Sequence, residues 1–355
     1  MFIISEKSPF GLDISDYALR LVHAEKKYGK LIITASNETA LPDGAIVDGE
    51  IKKPDIVSAA IHKCVKTAKG KKIASTQLIT ALPETKTFIK VLHIRCSDED
   101  EIPSLLAKEL TKHIPYPIEE IYFDWEIVGG FSAEKTNTVL AGVAPIKTVE
   151  SYVSVIKNAS LIPKSLQIEA VPIIASILPK NRDRQEHARN DGIIIDLGAT
   201  RTSLILHENN IPVLTMSLPI SGNDITKKIS NKLNLDAKQA EKAKILCGLD
   251  PEKCSGALKT ILTNNINQLM EKIETIISFY QEQNKKKNTL KEIILTGGGA
   301  RLLHIDKILY ERFKLPVRIG DSLQNIARVE KPASIDKNKI TSFSTAIGLA
   351  IKVYE

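Results

Sequence analysis

Two aspartates stand at matching places in two short segments, and their surroundings suit the handling of a phosphate chain. The first segment is Phe10-Gly11-Leu12-Asp13-Ile14-Ser15-Asp16-Tyr17-Ala18-Leu19-Arg20-Leu21. The second is Ile193-Ile194-Ile195-Asp196-Leu197-Gly198-Ala199-Thr200-Arg201-Thr202-Ser203-Leu204. Each reads as an apolar strand ended by an aspartate, a polar turn and a second strand. Backbone N–H groups of a tight turn form an anion-binding concavity without bringing a side chain into the way. Two such turns facing each other would grip phosphates from both sides. The expected contacts are Asp13, Ser15, Asp16 and Arg20 in one turn, and Asp196, Gly198, Ala199, Thr200 and Thr202 in the other. Asp13 and Asp196 would reach a Mg2+ through water, since Mg2+ typically combines one or two carboxylates with phosphate oxygens.

A third segment reads as a strand over 292–296, then Gly297-Gly298-Gly299, then a helix from Leu302. Three glycines let the backbone pass close to a flat ligand, and the following helix offers free N–H groups. This suits the adenosine and α-phosphate end of a nucleotide, with Arg301 beside it and Gly222 near the phosphates. Glu241 and Lys244, three apart on an expected helix, are placed to hydrogen-bond ribose hydroxyls; the plain alternative is a surface ion pair. Each motif alone is common in ordinary turns. Their order in one chain carries more: hairpin, insertion, hairpin, helices, Gly-Gly-Gly, closing helix.

The elements that must position these residues follow from apolar patterning. Segments 10–14, 18–22 and 31–35 read as an antiparallel meander, with a Lys27-Tyr28-Gly29-Lys30 turn. A helix opened by Pro54 carries Ile56, Ala60, Ile61, Cys64 and Val65 on one face and is expected to close at Gly70. A strand over 77–82 follows. Residues 85–165 change texture: a strand, the acidic run Asp98-Glu99-Asp100-Glu101, a helix through Leu105, Leu106 and Leu110, two strands and a helix over 148–158. A polar link over 180–191 separates this half from the second. There Ile225, Ile229 and Leu233 share a helix face, Asp236 caps the next helix, which runs to Gly248, and a long helix spans 258–280.

A length of 355 residues suggests two or three folding units. The expected division is an α/β first domain over 1–84 with 166–190 and 340–355, an inserted small α+β subdomain over 85–165, and a second domain over 191–339 with a helical part at about 226–290. Aromatic residues are only 5%, which argues against a base-stacking platform for single-stranded nucleic acid. The net charge of +7 suits anionic partners, but it is scattered. Its densest run, Lys285-Lys286-Lys287, reads as a solvated helix end, so no nucleic acid is expected. Cys64, Cys96, Cys247 and Cys254 form no CxxC pair and read as buried reduced thiols. The histidines are dispersed, so no protein-held zinc is expected. The N-terminus lacks the pattern of a signal peptide and no segment reads as a membrane span, so a soluble cytoplasmic protein is expected.

The order of elements resembles the actin-like ATPase superfamily. The resemblance assigns its first phosphate segment to 10–20, its first connecting helix to 168–177 with Glu169 as catalytic candidate, its second phosphate segment to 193–203, its adenosine segment to 293–303 and its second connecting helix to 343–351. It implies two mixed-sheet, RNase H-like domains hinged at the two connecting helices, where Ala346 and Gly348 are small enough for close contact. Within the superfamily the chain is most similar to the PilM family of type IV pilus assembly proteins, over nearly its whole length. The supporting residues are Gly11-Leu12-Asp13-Ile14, His113-Ile114-Pro115-Tyr116 with Asp124-Trp125, Ile220-Ser221-Gly222-Asn223-Asp224-Ile225-Thr226, Gln239-Ala240-Glu241-Lys242-Ala243-Lys244 and Thr296-Gly297-Gly298-Gly299-Ala300. The insertion sits where PilM and FtsA carry their extra subdomain.

That resemblance implies an adaptor binding ATP and Mg2+ in the cytoplasm. Its expected partner is the N-terminal tail of a PilN-like inner-membrane protein, with pilus motor or platform proteins beyond it. Membrane contact is expected only through the partner, and self-association stays open. Ser15 stands where the family usually has glycine, which puts efficient hydrolysis in doubt more than binding; weak or no ATPase activity is expected. Two alternatives remain. An FtsA-like division scaffold would end in an amphipathic targeting helix, for which little chain follows Gly348. A small-molecule kinase would need a carboxylate base beside the substrate hydroxyl, and no clear candidate stands out.

Overall fold

The computed structural model describes residues 8–96, 98–129, 136–180, 190–283, 290–333 and 335–355. The Lys285–Lys287 run and most of the 180–191 link lie outside the described residues. The chain opens with the expected meander, β1 (Phe10–Ile14), β2 (Ala18–Lys27) and β3 (Lys30–Ala40). Tyr28 and Gly29 between the last two both have positive φ, the conformation of a tight two-residue hairpin. A small hairpin follows, β4 (Ile46–Val47) and β5 (Glu50–Ile51), turned through Asp48 and Gly49, again both at positive φ. Helix α1 (Pro54–Lys66) has proline in its first turn and Lys63 and Lys66 in its last, which suits the helix dipole. It stops before Gly70, which lies instead in the short β6 (Lys69–Gly70), ahead of β7 (Gln77–Leu82).

The middle of the chain forms β8 (Phe88–Arg95), α2 (Ile102–Leu110), β9 (Ile121–Gly129), β10 (Thr136–Pro145), α3 (Ile146–Asn158), β11 (Ile162–Ile168) and α4 (Ala170–Ile177). The second half holds β12 (Gly192–Leu197), β13 (Thr202–Glu208), β14 (Ile211–Leu218), α5 (Gly222–Leu233), α6 (Ala237–Cys247) and α7 (Ala257–Gln283). It closes with β15 (Glu292–Thr296), α8 (Ile305–Phe313), β16 (Val317–Ile319), β17 (Arg328–Val329) and α9 (Ser344–Lys352).

Two sheets carry the site. The first runs β11-β7-β1-β2-β3-β17, with β6 also on β3; the second runs β14-β13-β12-β15-β16. In each, the aspartate strand pairs antiparallel with its hairpin partner and parallel with the strand on its other side: β1 with β2 and β7, β12 with β13 and β15. The order β3-β2-β1-β7-β11 is thus repeated as β14-β13-β12-β15-β16. The duplication read from two short segments extends to the topology of both sheets. Both aspartate strands are apolar on both faces because helices cover each side, which is why they read as continuous apolar runs and not as alternation.

The third sheet, β8-β10-β9, is antiparallel, and α2 covers it with Ile102, Leu106 and Leu110 against Leu92, Ile94, Val139 and Val143. Helix α3, assigned to the insertion by its place in the chain, packs elsewhere. Its Tyr152, Val155 and Ile156 lie in the first sheet's core with Phe10, Leu12 and Ile61, and β11 pairs with β7. The chain also returns to the first sheet before residue 340, where β17 pairs with β3 through Arg328 and Ile32.

Helices α4 and α9 cross each other between the two sheets. A Cβ on Gly348 of α9 would lie 1.7 Å from the Pro172 carbonyl oxygen of α4, and one on Gly11 would lie 2.6 Å from the Ala346 carbonyl oxygen. Every residue of α9 from Ser344 to Ile351 is buried. In the second half, Ser221 caps α5 by accepting the Asp224 N–H, Asn234 ends it in the left-handed region, and Asp236 with Gln239 forms a capping box on α6. The expectation of four reduced thiols holds for buried Cys64 and Cys96 and is corrected for the others: Cys247 and Cys254 form a disulfide. The turn after Gly248 brings their Cα atoms to 6.1 Å, within reach of a bridge that sequence spacing alone did not reveal.

Candidate functional site

Between the two sheets lies a cleft of about 1080 Å³, and every site residue named from the sequence lines it. The β1–β2 turn supplies Asp13, Ser15, Asp16 and Arg20. The β12–β13 turn supplies Asp196, Gly198, Ala199, Thr200 and Thr202. Gly222 stands at the start of α5, Glu241 and Lys244 on α6, Gly297, Gly298, Gly299 and Arg301 after β15, and Glu169 just before α4.

Each turn is closed by its own backbone. The Ser15 N–H donates to the Ala18 carbonyl, and the Ser15 hydroxyl donates to the same oxygen at 2.8 Å. That hydroxyl therefore braces the turn from within. In the second turn the Gly198 N–H donates to the Arg201 carbonyl, and a Cβ at 198 would meet that oxygen at 2.6 Å. The carbonyls of Gly198 and Ala199 accept the N–H groups of Gly222 and Asn223, which seats the N-terminus of α5 against the turn. The Thr202 hydroxyl donates to the Ile220 carbonyl at 2.6 Å and so works inside the fold.

On the far wall, Lys244 donates to the Gly222 carbonyl at 3.1 Å and pairs with Glu241 at 2.7 Å. The ion pair that the plain reading placed on a surface stands at the cleft wall, with Lys244 largely buried. In the Gly-Gly-Gly run the three positions differ. Gly297 has φ +82°, and a Cβ there would stand 2.1 Å from Asp196 Oδ1. A Cβ on Gly299 would press on Leu197 at 2.9 Å, whereas one on Gly298 would meet nothing within 4 Å. Arg301 donates to the Lys337 carbonyl.

The floor of the cleft gathers carboxyl groups, buried at Asp13 and Glu84 and part-buried at Asp196 and Glu169. Burial pushes Asp13 up to about 6, although Arg20, 3.6 Å away, opposes this. Asp196 is pushed up to about 7 by burial and by the neighbouring Asp13 charge. Glu169 is part-buried, and its carboxyl is held well above the usual carboxylate range by loss of solvation, then by Asp13 and Asp196; the Glu84 backbone N–H offsets part of this. Arg20 also pairs with Glu38, which takes Lys339 on its other side. Burial works against the Glu38 charge, yet Lys339 and Arg20 hold its carboxyl below the usual range.

Glu84 joins this group without any motif to announce it. It follows β7 at the Pro83 turn, buried, and burial pushes it up to about 7. Ser203 and Thr215 of the second sheet face it and offset that shift in part, but neither carboxylate oxygen reaches hydrogen-bonding geometry among the described residues. A cation bridging the floor would relieve this crowding by restoring the ionised forms. Among the described residues no three acidic, His or Cys groups close into a cage for a metal on their own. A pair of carboxylates such as Asp13 and Asp196 would suit a Mg2+ that takes its other ligands from water and phosphate.

The family of type IV pilus assembly protein PilM matches residues 11–354. The chain belongs to the PilM family. Among curated proteins, the cell division protein FtsA of Borreliella burgdorferi is 24% identical over 207 residues, covering 52% of this chain and 48% of that protein. FtsA of Streptococcus pneumoniae is 23% identical over 376 residues, covering 94% and 79%. The chain spans about half the length of the first of these relatives. A solved PilM–PilN type IV pilus biogenesis complex superimposes with a TM-score of 0.80 at 19% identity, over 99% of this chain and 100% of that one. MreB5 of Spiroplasma citri bound to AMPPNP gives 0.56 at 14% identity, over 99% and 96%. PilM-family membership and the actin-like fold, both expected from the order of motifs, are thus established.

Proposed function

We propose that this PilM-family chain is a nucleotide-binding adaptor of type IV pilus assembly. The observation that carries the reading is the pairing of Asp13 and Asp196. They end matching strands of two sheets of one topology, and both line the same cleft. Asp13 and Asp196 would hold a Mg2+ there through water, and the ion would supply charge neutralisation to the phosphates. The chain's own groups do the rest. The two turns offer backbone N–H groups to the phosphates, Arg20 keeps the Asp13 carboxylate paired, and Gly298 leaves room for the flat end of the nucleotide beside Glu241 and Lys244.

The partner proposed is the N-terminal tail of a PilN-like membrane protein, which would hold the adaptor at the cytoplasmic face of the inner membrane. The likeness to the PilM–PilN complex supports this; no helix among the described residues is long and apolar enough to cross a membrane. Nucleotide and tail are coupled if each changes the other's affinity by the same factor, as linkage requires. Calorimetric titration with Mg-ATP and with a synthetic tail peptide, separately and together, tests the reading. Binding of both with a reciprocal shift is expected. Absence of Mg-ATP binding would remove the nucleotide, and indifference of the peptide would remove the coupling.

A further inference from the structure

The mouth of the cleft holds an ion pair that the nucleotide reading does not use. Arg201, in the β12–β13 turn of the second sheet, points its Nη1 at Asp48 Oδ1 of the first half, 2.9 Å away. Its Nε is held by the Ser217 hydroxyl at 2.7 Å, so the base of the guanidinium is anchored and its far end crosses the cleft. Asp48 is presented by the β4–β5 hairpin, and that hairpin is fixed on its own side. The Gly49 N–H donates to Asp16 Oδ1 at 3.0 Å, the Tyr152 hydroxyl donates to the Gly49 carbonyl at 3.2 Å, and the Thr85 hydroxyl donates to the Asp48 carbonyl at 2.8 Å. A Cβ on Gly49 would meet Pro83 at 2.5 Å, so the tip sits directly on the Pro83–Thr85 turn.

The partners differ in exposure: the Asp48 side chain is 63% exposed and that of Arg201 is 26% exposed. An exposed carboxylate is a weak holder of a guanidinium. A phosphate at the end of a nucleotide offers the same guanidinium a more highly charged partner with bidentate geometry. Arg201 belongs to the turn whose backbone would face that end of the phosphate chain.

We propose that Arg201 reads the terminal phosphate of a nucleoside triphosphate and so distinguishes it from the diphosphate. Without nucleotide, Asp48 is its internal stand-in for that phosphate. The anchored hairpin stays in place while the guanidinium end turns from Asp48 into the cleft, which unties the two halves at the mouth as the triphosphate binds. This rests on the nucleotide reading above and adds to it a residue that sets which nucleotide is preferred.

Calorimetric titration of Mg-ATP and Mg-ADP into the full chain and three variants tests it. Arg201→Gln is expected to weaken ATP about tenfold, as loss of a charge-assisted phosphate contact does, and to leave ADP nearly unchanged. Asp48→Asn is expected to strengthen ATP about threefold, the scale of an exposed ion pair. In the double variant the Asp48→Asn gain should vanish, because its effect runs through Arg201. Equal weakening of ATP and ADP by Arg201→Gln would overturn the proposal, as would an Asp48→Asn gain that persists without Arg201. Either result would leave nucleotide binding by the parent chain standing, whereas a parent chain that binds neither nucleotide would defeat the reading beneath it. Melting curves of the variants check that they fold. Should Arg201→Gln not fold, Arg201→Lys supplies the same comparison, since it keeps the charge but loses the fork that holds Ser217 and phosphate together.

Discussion

Gly348 of α9 lies against the backbone of Pro172 in α4, so close that a Cβ on it would overlap the Pro172 carbonyl oxygen at 1.7 Å. No side chain separates the two connecting helices at this point, and they cross where the two sheets meet. Replacing Gly348 by Ala or Val must therefore drive α4 and α9 apart or bend one of them. The expected cost is at least about 1–3 kcal/mol, the range for overpacking a filled core. A thermal melt checks this: Gly348→Ala should lower Tm, and Gly348→Val should lower it further or give insoluble protein. Parent-like melting of Gly348→Val would show that the helices do not touch here.

The three consecutive glycines separate packing from ligand room. Gly297 combines positive φ with a Cβ position 2.1 Å from Asp196 Oδ1, so Gly297→Val strains the backbone and displaces the aspartate. Gly298 has neither constraint. Gly298→Val is expected to fold like the parent and to lose adenine nucleotide binding because the isopropyl group projects into space the ligand needs. Circular dichroism and nucleotide titration of the two variants side by side decide this. Undiminished ATP binding by folded Gly298→Val would leave the run a packing device only.

Where chemistry is carried by local turns, the chain announces it. Asp13, Asp196 and the glycines after β15 each sit at a strand end, and strand-then-turn is visible in a dozen residues. Glu84 is different. It is one more glutamate in Leu82-Pro83-Glu84-Thr85, and only the approach of Ser203 and Thr215 from the other sheet turns it into a floor residue of the cleft. Asp48-Gly49 did carry a local signal, since Asp-Gly between short apolar segments favours a two-residue hairpin; what the hairpin tip touches depends on the second half of the chain. The placement of α3 was hidden for a similar reason. Its apolar face fits any core, and sequence neighbours drew it to the insertion while Tyr152 reaches the first sheet.

Asp196 is expected to show opposite effects on binding and on stability. Asp196→Asn should weaken Mg-ATP about tenfold or more, by removing a charge that would face the phosphate-bound cation through water. The nucleotide-free protein should nevertheless melt higher than the parent at pH 8. Burial raises this carboxyl from 3.8 to about 7, so between those values the folded state holds a proton that the unfolded state has released. That contribution is fully present below 3.8 and is lost as pH rises through 7. Asparagine carries no such dependence, so the gain in Tm should be largest at pH 8 and shrink towards pH 4. Each kcal/mol recovered corresponds to roughly 2–4 °C. A Tm difference that stays constant across this pH range would show that the carboxyl is not buried as described.

His207 produces the reverse slope in an overlapping range. Its ring is fully buried in β13, the Asn190 backbone approaches it but neither nitrogen completes a well-aligned hydrogen bond among the described residues, and Gly192 leaves room for it by lacking a Cβ that would stand 2.9 Å from Nε2. Burial lowers its pKa from 6.5 to about 4, despite the opposing pull of Asp191 and Glu292; Arg318 adds to the lowering. Here the unfolded state takes up the proton first. Stability is fully present above 6.5 and is lost as pH falls towards 4, by about 3 kcal/mol for a shift of this size. His207→Phe keeps a ring of similar shape without the titration. Urea unfolding of parent and variant at pH 7 and pH 4.5 isolates the effect from the carboxyl groups common to both. The parent should lose about 2–3 kcal/mol more than the variant between the two pH values. Parallel losses would mean that the imidazole is already protonated or already solvated in the folded chain.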